Sequence, residues 1–498
     1  MRRTPVVLLA LALSGCTSHL AGTHAEEPVT RRADGSPQPL RPSGARPVPL
    51  ALHDEVPTEE ETREETELDV TATLPTADPT ALGGLGDPGL RALVLEALDR
   101  NRNVVAATAR VFEAWALADI ARSRLMPEVF GRGAANYNQS ITPGIGAVTS
   151  RSFQASIPVG YEVDIFGRFY QENRATRDEA EASEEERAAI GIGVAAEVAE
   201  AWLDLVYVKV QRTQLERQLE TNERLLSLLE SRFSAGITNE VDVLQQRQQV
   251  AAVRTNLASL EGTERVATAR LAVLLGRSPI GYTVDVPATF PELPQLPEDG
   301  LTADVVEQRP DIRAALLRLR AADRRYLVAA RQMLPVLKIA VTPGWQTLYA
   351  ESSRGQGTTS GFVFSAVATL DVPLFQGLRN VALRGQRRAQ VDELVAGYEQ
   401  TMISALSEVE SAMALEAQKR ALLITLEDQR RNAAELRESS EAQYEAGIVD
   451  FLTIFLAVRS EQTAELALVA MSRELYSARV QLLRALGGGV HISSPAIR

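Results

Sequence analysis

A single cysteine, Cys16, stands in a chain of 498 residues, so no intrachain disulfide can form. Only four histidines occur, at 19, 24, 53 and 491, and no two share a helix face with a carboxylate. A zinc site of the His/Cys kind is therefore not expected, nor is any other metal or cofactor. Aromatic residues make up only 5% of the chain. No apolar run is long enough for a membrane-spanning helix. The net charge of −13 leaves no basic footprint for nucleic acid. About six of those excess negatives precede residue 85. No Gly-x-Ser-x-Gly elbow occurs, and the histidines lie outside the main body, which argues against an envelope hydrolase and against an enzyme generally. Gly84-Leu85-Gly86-Asp87-Pro88-Gly89 matches a dinucleotide fingerprint only formally, because no strand precedes it and a proline interrupts it.

Proline is missing from about Val159 to Ser278 and again from about Leu374 to Ser494. What fills these stretches is Ala, Leu, Val, Glu, Arg and Gln, the composition of long helices and coiled coils. Leu215, Leu219, Leu226, Leu229 and Phe233 recur at heptad spacing, as do Met402, Leu406, Val409 and Met413. Each stretch is interrupted once, near Gly236 and near Gly447, where a reversal between helices needs positive φ. The pattern predicts two helical hairpins whose first arms have about 60 residues and a length of about 90 Å.

The chain reads as one unit written twice. Ala121-Arg122-Ser123-Arg124-Leu125-Met126-Pro127 pairs with Ala329-Ala330-Arg331-Gln332-Met333-Leu334-Pro335. Asp164-Ile165-Phe166-Gly167 pairs with Pro373-Leu374-Phe375-Gln376, and Leu274-Leu275-Gly276 with Ala485-Leu486-Gly487. Each half opens with a helix, at about 88–125 and 301–333. Two alternating segments follow, carried by Phe153, Ala155, Ile157, Val159, Tyr161 and Val163 in the first half. In the second they are carried by Leu337, Ile339 and Val341 and by the stretch 362–367. Period-two alternation over about ten residues marks strands with one apolar face. The Gly/Ser/Thr-rich stretches 140–150 and 351–361 are expected to be loops. The division is then 1–15 leader, 16–85 disordered tether, 86–286 first repeat, 287–300 linker, 301–490 second repeat and 491–498 tail.

Arg2 and Arg3, a short apolar core and Leu13-Ser14-Gly15-Cys16 form a signal peptide that resembles a bacterial lipobox; the alternative is a plain leader with an incidental cysteine. Cleavage before Cys16 and its acylation would tether the chain to membrane lipid. Thr17 in place of Asp points, by that resemblance, to the outer membrane. The charged run Glu59-Glu60-Glu61-Thr62-Arg63-Glu64-Glu65 has no apolar stripe and cannot offset its chain entropy. Four membrane-length strands cannot close a barrel alone, since single-chain barrels begin at about eight strands. Open edges are not tolerated in lipid, so other copies must complete the sheet.

Five stretches carry a family resemblance: Tyr161-Glu162-Val163-Asp164-Ile165-Phe166-Gly167-Arg168, Arg309-Pro310-Asp311-Ile312-Arg313-Ala314-Ala315, Val372-Pro373-Leu374-Phe375, Tyr444 to Thr453, and Leu486-Gly487-Gly488-Gly489. With them, residues 85–490 resemble the TolC-like outer-membrane efflux proteins, in their lipid-anchored NodT-type branch. The resemblance implies a mixed α and β membrane protein. It would be a homotrimer with a 12-stranded transmembrane β-barrel, four strands per chain, continued by a 12-helix periplasmic barrel and a collar. It implies an exit duct of a tripartite pump, joined by a periplasmic adaptor to an inner-membrane transporter of the RND type. By this resemblance Ala235, Gly236 and Ile237, with Ala446, Gly447 and Ile448, form the adaptor-contacting tips. Asp242 matches an acidic position lining the closed aperture; the alternative is an ordinary solvated helix charge. Leu452 matches an apolar aperture position. Leu456, within Phe455-Leu456-Ala457-Val458-Arg459-Ser460, departs from the family, where an Asp is frequent. An aperture more apolar than usual follows. An outlet for type I protein secretion shares the fold and remains open; a purely structural coiled-coil lipoprotein leaves the alternating segments unexplained.

Overall fold

The computed structural model describes residues 87–142, 146–293, 307–352 and 355–488. Cys16, the leader, the tether and the tail 491–498 lie outside the described residues, as do parts of the linker.

The first half opens with α1 (Pro88–Arg100) and α2 (Arg102–Ser123), where one continuous helix was expected. The break is Asn101, whose extended backbone ends α1 and whose side chain caps α2 by accepting from the Asn103 amide at 2.9 Å. Four short strands follow: β1 (Glu128–Val129), β2 (Arg132–Thr142), β3 (Gly146–Ser156) and β4 (Val159–Val163). Then come α3 (Arg168–Ser234) and α4 (Glu240–Leu274). The second half runs α5 (Pro310–Arg331), β5 (Val336–Ser352), β6 (Gly355–Asp371), α6 (Arg379–Glu445) and α7 (Phe451–Ala485). The helix expected from 301 is broken at Arg309, whose backbone is extended: Glu307 is helical before it, and α5 runs from Pro310 to Arg331 with the proline in its first turn. Both α3 and α6 have 67 residues, about 100 Å at the α-helical rise. Both α4 and α7 have 35.

The six strands lie on four antiparallel tracks. β4 and β3 pair end to end with successive parts of β5, Val163↔Leu337 through Val159↔Val341 and then Ser156↔Gly344 through Thr149↔Glu351. The alternating run 153–163 is thus one track broken at Ile157–Pro158, where proline has no amide to donate. Ile157 still donates to the Pro343 carbonyl at 2.9 Å. β1 and β2 share the next track, against β4 and β3, and β6 pairs with β5 along its whole length. The expected loops at 140–150 and 351–361 are instead mostly strand, because β2–β3 and β5–β6 pair right up to Thr142↔Gly146 and Ser352↔Gly355. Small and hydroxyl residues pair as well as others where the ladder supplies every backbone partner.

Register sorts the faces. Phe153, Trp345, Tyr349, Phe362 and Phe364 share one face, with Phe153 and Tyr349 edge to face at 6.3 Å. Gln154 opposite Gln346, Thr342 opposite Ser365 and Glu162 opposite Lys338 occupy the other. Trp345, Phe362 and Phe364 are all more than half exposed. Among the described residues, both outer tracks, β1/β2 and β6, have no further strand paired at their outer edge.

Next to the sheet the helices form a layer in the order α2–α3–α5–α6; farther along the order is α4–α3–α7–α6. The largest apolar core joins α1, α3, α4 and α7 around Trp202, Leu203, Leu271 and Val480, and the linker residue Phe290 stacks on Tyr476 at 5.2 Å. Of the heptad positions, Leu215, Leu229 and Val409 are buried, but Phe233, Leu406 and Met413 are exposed. Those three point away from the chain's own packing.

Candidate functional site

The motifs singled out in the sequence are joints. Arg309 sends one guanidinium nitrogen to the Ala485 carbonyl at 2.9 Å and another to Asp311 and Glu408 at 2.7 and 2.8 Å. It thereby caps the end of α7 and ties it to α5 and α6. Gly487, at φ 75°, lies against it, and a Cβ there would meet Arg309 Cγ at 3.2 Å. In the first half Asn101 does the same work, donating to the Leu274 carbonyl at 2.8 Å. At the sheet-to-helix corner Asp164 accepts from the Tyr170 amide at 2.8 Å and Glu162 pairs with Arg168. Gly167 takes φ 67° there and its carbonyl accepts from Arg331 at 2.8 Å. Leu378 occupies the corresponding place before α6, also at positive φ, 65°.

At the far end the two hairpins turn alike. Gly236 and Gly447 take φ 75° and 73°, and each follows the C-cap alanine, Ala235 or Ala446. Ile237 donates to the Arg232 carbonyl and Ile448 to the Gln443 carbonyl, both at 2.9 Å, which closes a Schellman turn. An added Cβ would find open space at either glycine, so φ alone requires them. The return helices begin at Asn239 and Asp450. Asn239 accepts from the Asp242 amide at 2.9 Å, and Asp242 accepts from the Thr238 hydroxyl at 2.6 Å. Asp242 therefore holds a place in the first turn of α4, where a carboxylate favours the helix dipole. Asp450 accepts from both the hydroxyl and the amide of Thr453, which holds its carboxyl below the usual range.

One apolar cluster brings both tips together: Leu229, Val243, Tyr444, Phe451, Ile454 and Phe455. The Arg232 guanidinium lies 4.4 Å over the Tyr444 ring. Phe455 is buried there, while its neighbour Leu456 and Leu452 are 53% and 50% exposed, turned about 100° around α7 from Phe455 and Phe451. Ile237 and Ile448 are 70% and 73% exposed. The tip cluster was not anticipated, although Phe451 and Phe455 at i, i+4 were its visible signal. Above it lies a layer of buried amides, Gln218, Asn222, Gln246 and Gln462. Gln246 donates to Asn222 at 2.9 and 3.0 Å, and Gln218 donates to the Gln462 carbonyl at 3.1 Å. Beyond that layer α6 and α7 share a buried ion pair, Glu416 with Arg479.

Near the sheet, α2, α3, α5 and α6 line one cavity of about 590 Å³, with Arg110, Glu113, Glu179, Arg325, Arg387 and Glu393 on its walls. Among the described residues no cluster could hold a metal ion, and no helix is long and apolar enough to cross a membrane.

A two-faced sheet with aromatic residues on one side and polar residues on the other, extended by helical hairpins of about 100 Å, suits an outer-membrane channel protein. The chain belongs to the outer membrane efflux protein family, whose model matches residues 93–277 and 301–488. It is 30% identical over 431 residues to the pyoverdine export outer membrane protein OpmQ of Pseudomonas putida, covering 82% of this chain and 87% of that one. It is 30% identical to the outer membrane protein OprJ of Pseudomonas aeruginosa, covering 81% and 85%. The solved outer-membrane channel OprN superposes with a TM-score of 0.74 at 26% identity, covering 83% and 93%.

Proposed function

We propose that this chain is the outer-membrane exit duct of a tripartite efflux pump, a passive conduit and not an enzyme. The observation that carries this is the sheet: aromatic on one face, polar on the other, and, among the described residues, unpaired at both edges. Such an edge is costly in hydrocarbon, so copies must join. Four tracks in each of three chains give a closed 12-stranded barrel, within the even-stranded series that starts at about eight. The four-helix layers likewise give 12 helices around the axis. The repeats 86–286 and 301–490 would each supply half of one chain's share, joined by the linker 287–300. Acylation at Cys16 would anchor the chain to the outer membrane, with the tether 16–85 between anchor and duct. The tips at Ala235–Ile237 and Ala446–Ile448 would meet a periplasmic adaptor, and through it an inner-membrane transporter of the RND type. Exposed Ile237 and Ile448 support an apolar docking contact there. Asp242 lies at the tip end, as an aperture residue must, although its hydrogen bonds also give it a local capping role. The exposed Leu452 and Leu456 support an aperture sealed by excluding water.

The test is native mass spectrometry of the detergent-extracted chain followed by planar-bilayer recording. Three chains carrying an acylated Cys16, and a conducting pore, are expected. A conducting monomer or an unmodified Cys16 would remove the corresponding part of the proposal.

A further inference from the structure

The aromatic face of the sheet changes character along its length. Nearer the helices it is apolar, with Leu337, Ile339, Val341 and Trp345 on β5 and Phe362 and Phe364 on β6. Farther out the register aligns Tyr137, Arg151, Tyr349 and Thr358 in one row across β2, β3, β5 and β6. All four side chains are exposed. Arg151 is the one cation on this face among the described residues. Its guanidinium lies 5.8 Å from the centre of the Tyr137 ring, and among the described residues it forms no ion pair. Nor do the hydroxyls of Tyr137, Tyr349 and Thr358 have hydrogen-bond partners there. One row nearer the helices, by contrast, Ser360 donates to Thr347 at 3.0 Å.

Strand geometry gives the depth of this row. Tyr349 is twelve positions beyond Leu337 on β5, about 41 Å at about 3.4 Å per residue. A barrel strand tilted by about 40° turns that into about 31 Å along the membrane normal. The apolar band of such barrels is about 25 Å tall. Counted from Leu337, it ends between Trp345, at about 21 Å, and the row. Arg151 and its neighbours then stand about 6 Å beyond the hydrocarbon, at headgroup depth, and the tilt separates adjoining members by only about 3 Å. The helices join the sheet at the Leu337 end, while the reversals from β2 to β3 and from β5 to β6 lie at the other. The headgroups concerned are therefore those of the leaflet facing away from the helices.

Water satisfies exposed donors anywhere; the position of these is what singles them out. A guanidinium and three hydroxyls converge directly above a belt of aromatic rings, so one molecule covering both must be apolar below and rich in acceptors above. A phosphate gives the guanidinium two oxygens for its planar fork. The row spans three interstrand steps, about 14 Å, which is wider than one phosphate and matches a phosphorylated disaccharide. Glu351, the next charge along this face, lies two positions nearer the turn and accepts from Gln356 at 3.2 Å, so it stands beyond the row.

We propose that Tyr137, Arg151, Tyr349 and Thr358 form a binding row for the phosphorylated sugar headgroup of a glycolipid in the outer leaflet. Arg151 takes the phosphate, the two phenols and Thr358 donate to sugar and ester oxygens, and the acyl chains descend over Phe153, Trp345 and Phe362. The site lies on the middle tracks of the sheet, so it is complete within one chain. It rests on the reading that the aromatic face meets lipid and the hairpins reach into the periplasm.

The test is native mass spectrometry of the full-length protein in detergent with three probes. They are a six-chain diglucosamine lipid carrying phosphates, the same lipid without them, and phosphatidylglycerol. The parent should bind the phosphorylated glycolipid about tenfold more tightly than either of the others, the weight of one charge-assisted contact. Arg151→Gln should remove that preference, and Arg151→Lys should keep part of it, since an ammonium meets phosphate only as a point charge. Arg132→Gln, which removes a cation from the polar face, should leave it unchanged. The same spectra read the oligomer; were Arg151→Gln not to assemble, the parent's ranking of the three lipids decides alone. An assembled Arg151→Gln that keeps the preference, or a parent without one, would overturn the site and leave the duct standing. Equal binding of phosphatidylglycerol would overturn the glycolipid as occupant. A preference lost in Arg132→Gln and kept in Arg151→Gln would invert the two faces, and with them the membrane reading itself.

Discussion

Replacing Glu416 by glutamine removes one charge from a pair that water does not reach. Side-chain exposure is 3% for Glu416 and 0% for Arg479, and the two meet through paired bonds of 2.9 and 2.6 Å. Arg420, half exposed, adds a third bond to the same carboxylate at 2.8 Å. An arginine cannot shed its proton, so without the carboxylate its charge stays buried. Breaking a buried pair from one side costs about 3–5 kcal/mol; the glutamine carbonyl can still accept one bond, which places the cost near the lower figure. At about 1.4 kcal/mol per factor of ten, protection of the α7 amides should fall on the order of 100-fold in hydrogen exchange. The double variant Glu416→Leu, Arg479→Met removes both charges and should exchange within about tenfold of the parent, since apolar replacement of such pairs is often neutral. A single variant that exchanges within twofold of the parent, or a double variant as damaged as the single one, would refute this account of α6–α7 packing.

Changing Leu452 and Leu456 together to serine should raise resting conductance and antibiotic leakage more than Asp242→Asn does; the reverse order in planar bilayers would make the aperture electrostatic. Leu378→Gly should stabilise the chain by about 0.5–1 kcal/mol, because the left-handed conformation at φ 65° costs an L-residue about 1–2 kcal/mol and glycine removes that cost while adding about 0.5–1 kcal/mol of unfolded-chain entropy; a lowered melting temperature would contradict it. Burial raises the Asp323 carboxyl above its usual range, against the lowering effects of Arg324 and Arg388. The folded chain then binds this proton more readily than the unfolded one, so stability rises as pH falls through the raised value and levels off below the ordinary one. Asp323→Asn should flatten that part of the melting profile just above the ordinary aspartate range, and an unchanged profile would assign it to other groups.

Much of this was legible in the sequence because it is local. The absence of proline over more than a hundred residues, the heptad leucines and the interruptions at Gly236 and Gly447 showed where the long helices run and where they reverse, since each property acts within a turn or two of chain. Alternation located β3, β4 and parts of β5 and β6 but not β1 and β2, because the run 153–163 proved to be one track and not two; the insufficiency of four strands to close a barrel already pointed to other copies. Asn101 was misread as helix interior because its role depends on the Leu274 carbonyl, far along the chain. The strand ends were placed too early because a ladder partner, and not the Ser/Gly composition, decides how far a strand runs. Arg309 and Gly487 each stood out as motif residues, yet only the fold brings them together. The order α2–α3–α5–α6, the burial of Glu416 against Arg479, and the joining of both hairpins in the tip cluster, beyond the local Phe451–Phe455 pair, were decided by tertiary structure. Each depends on which distant segments share one place, and no periodicity along the chain encodes that.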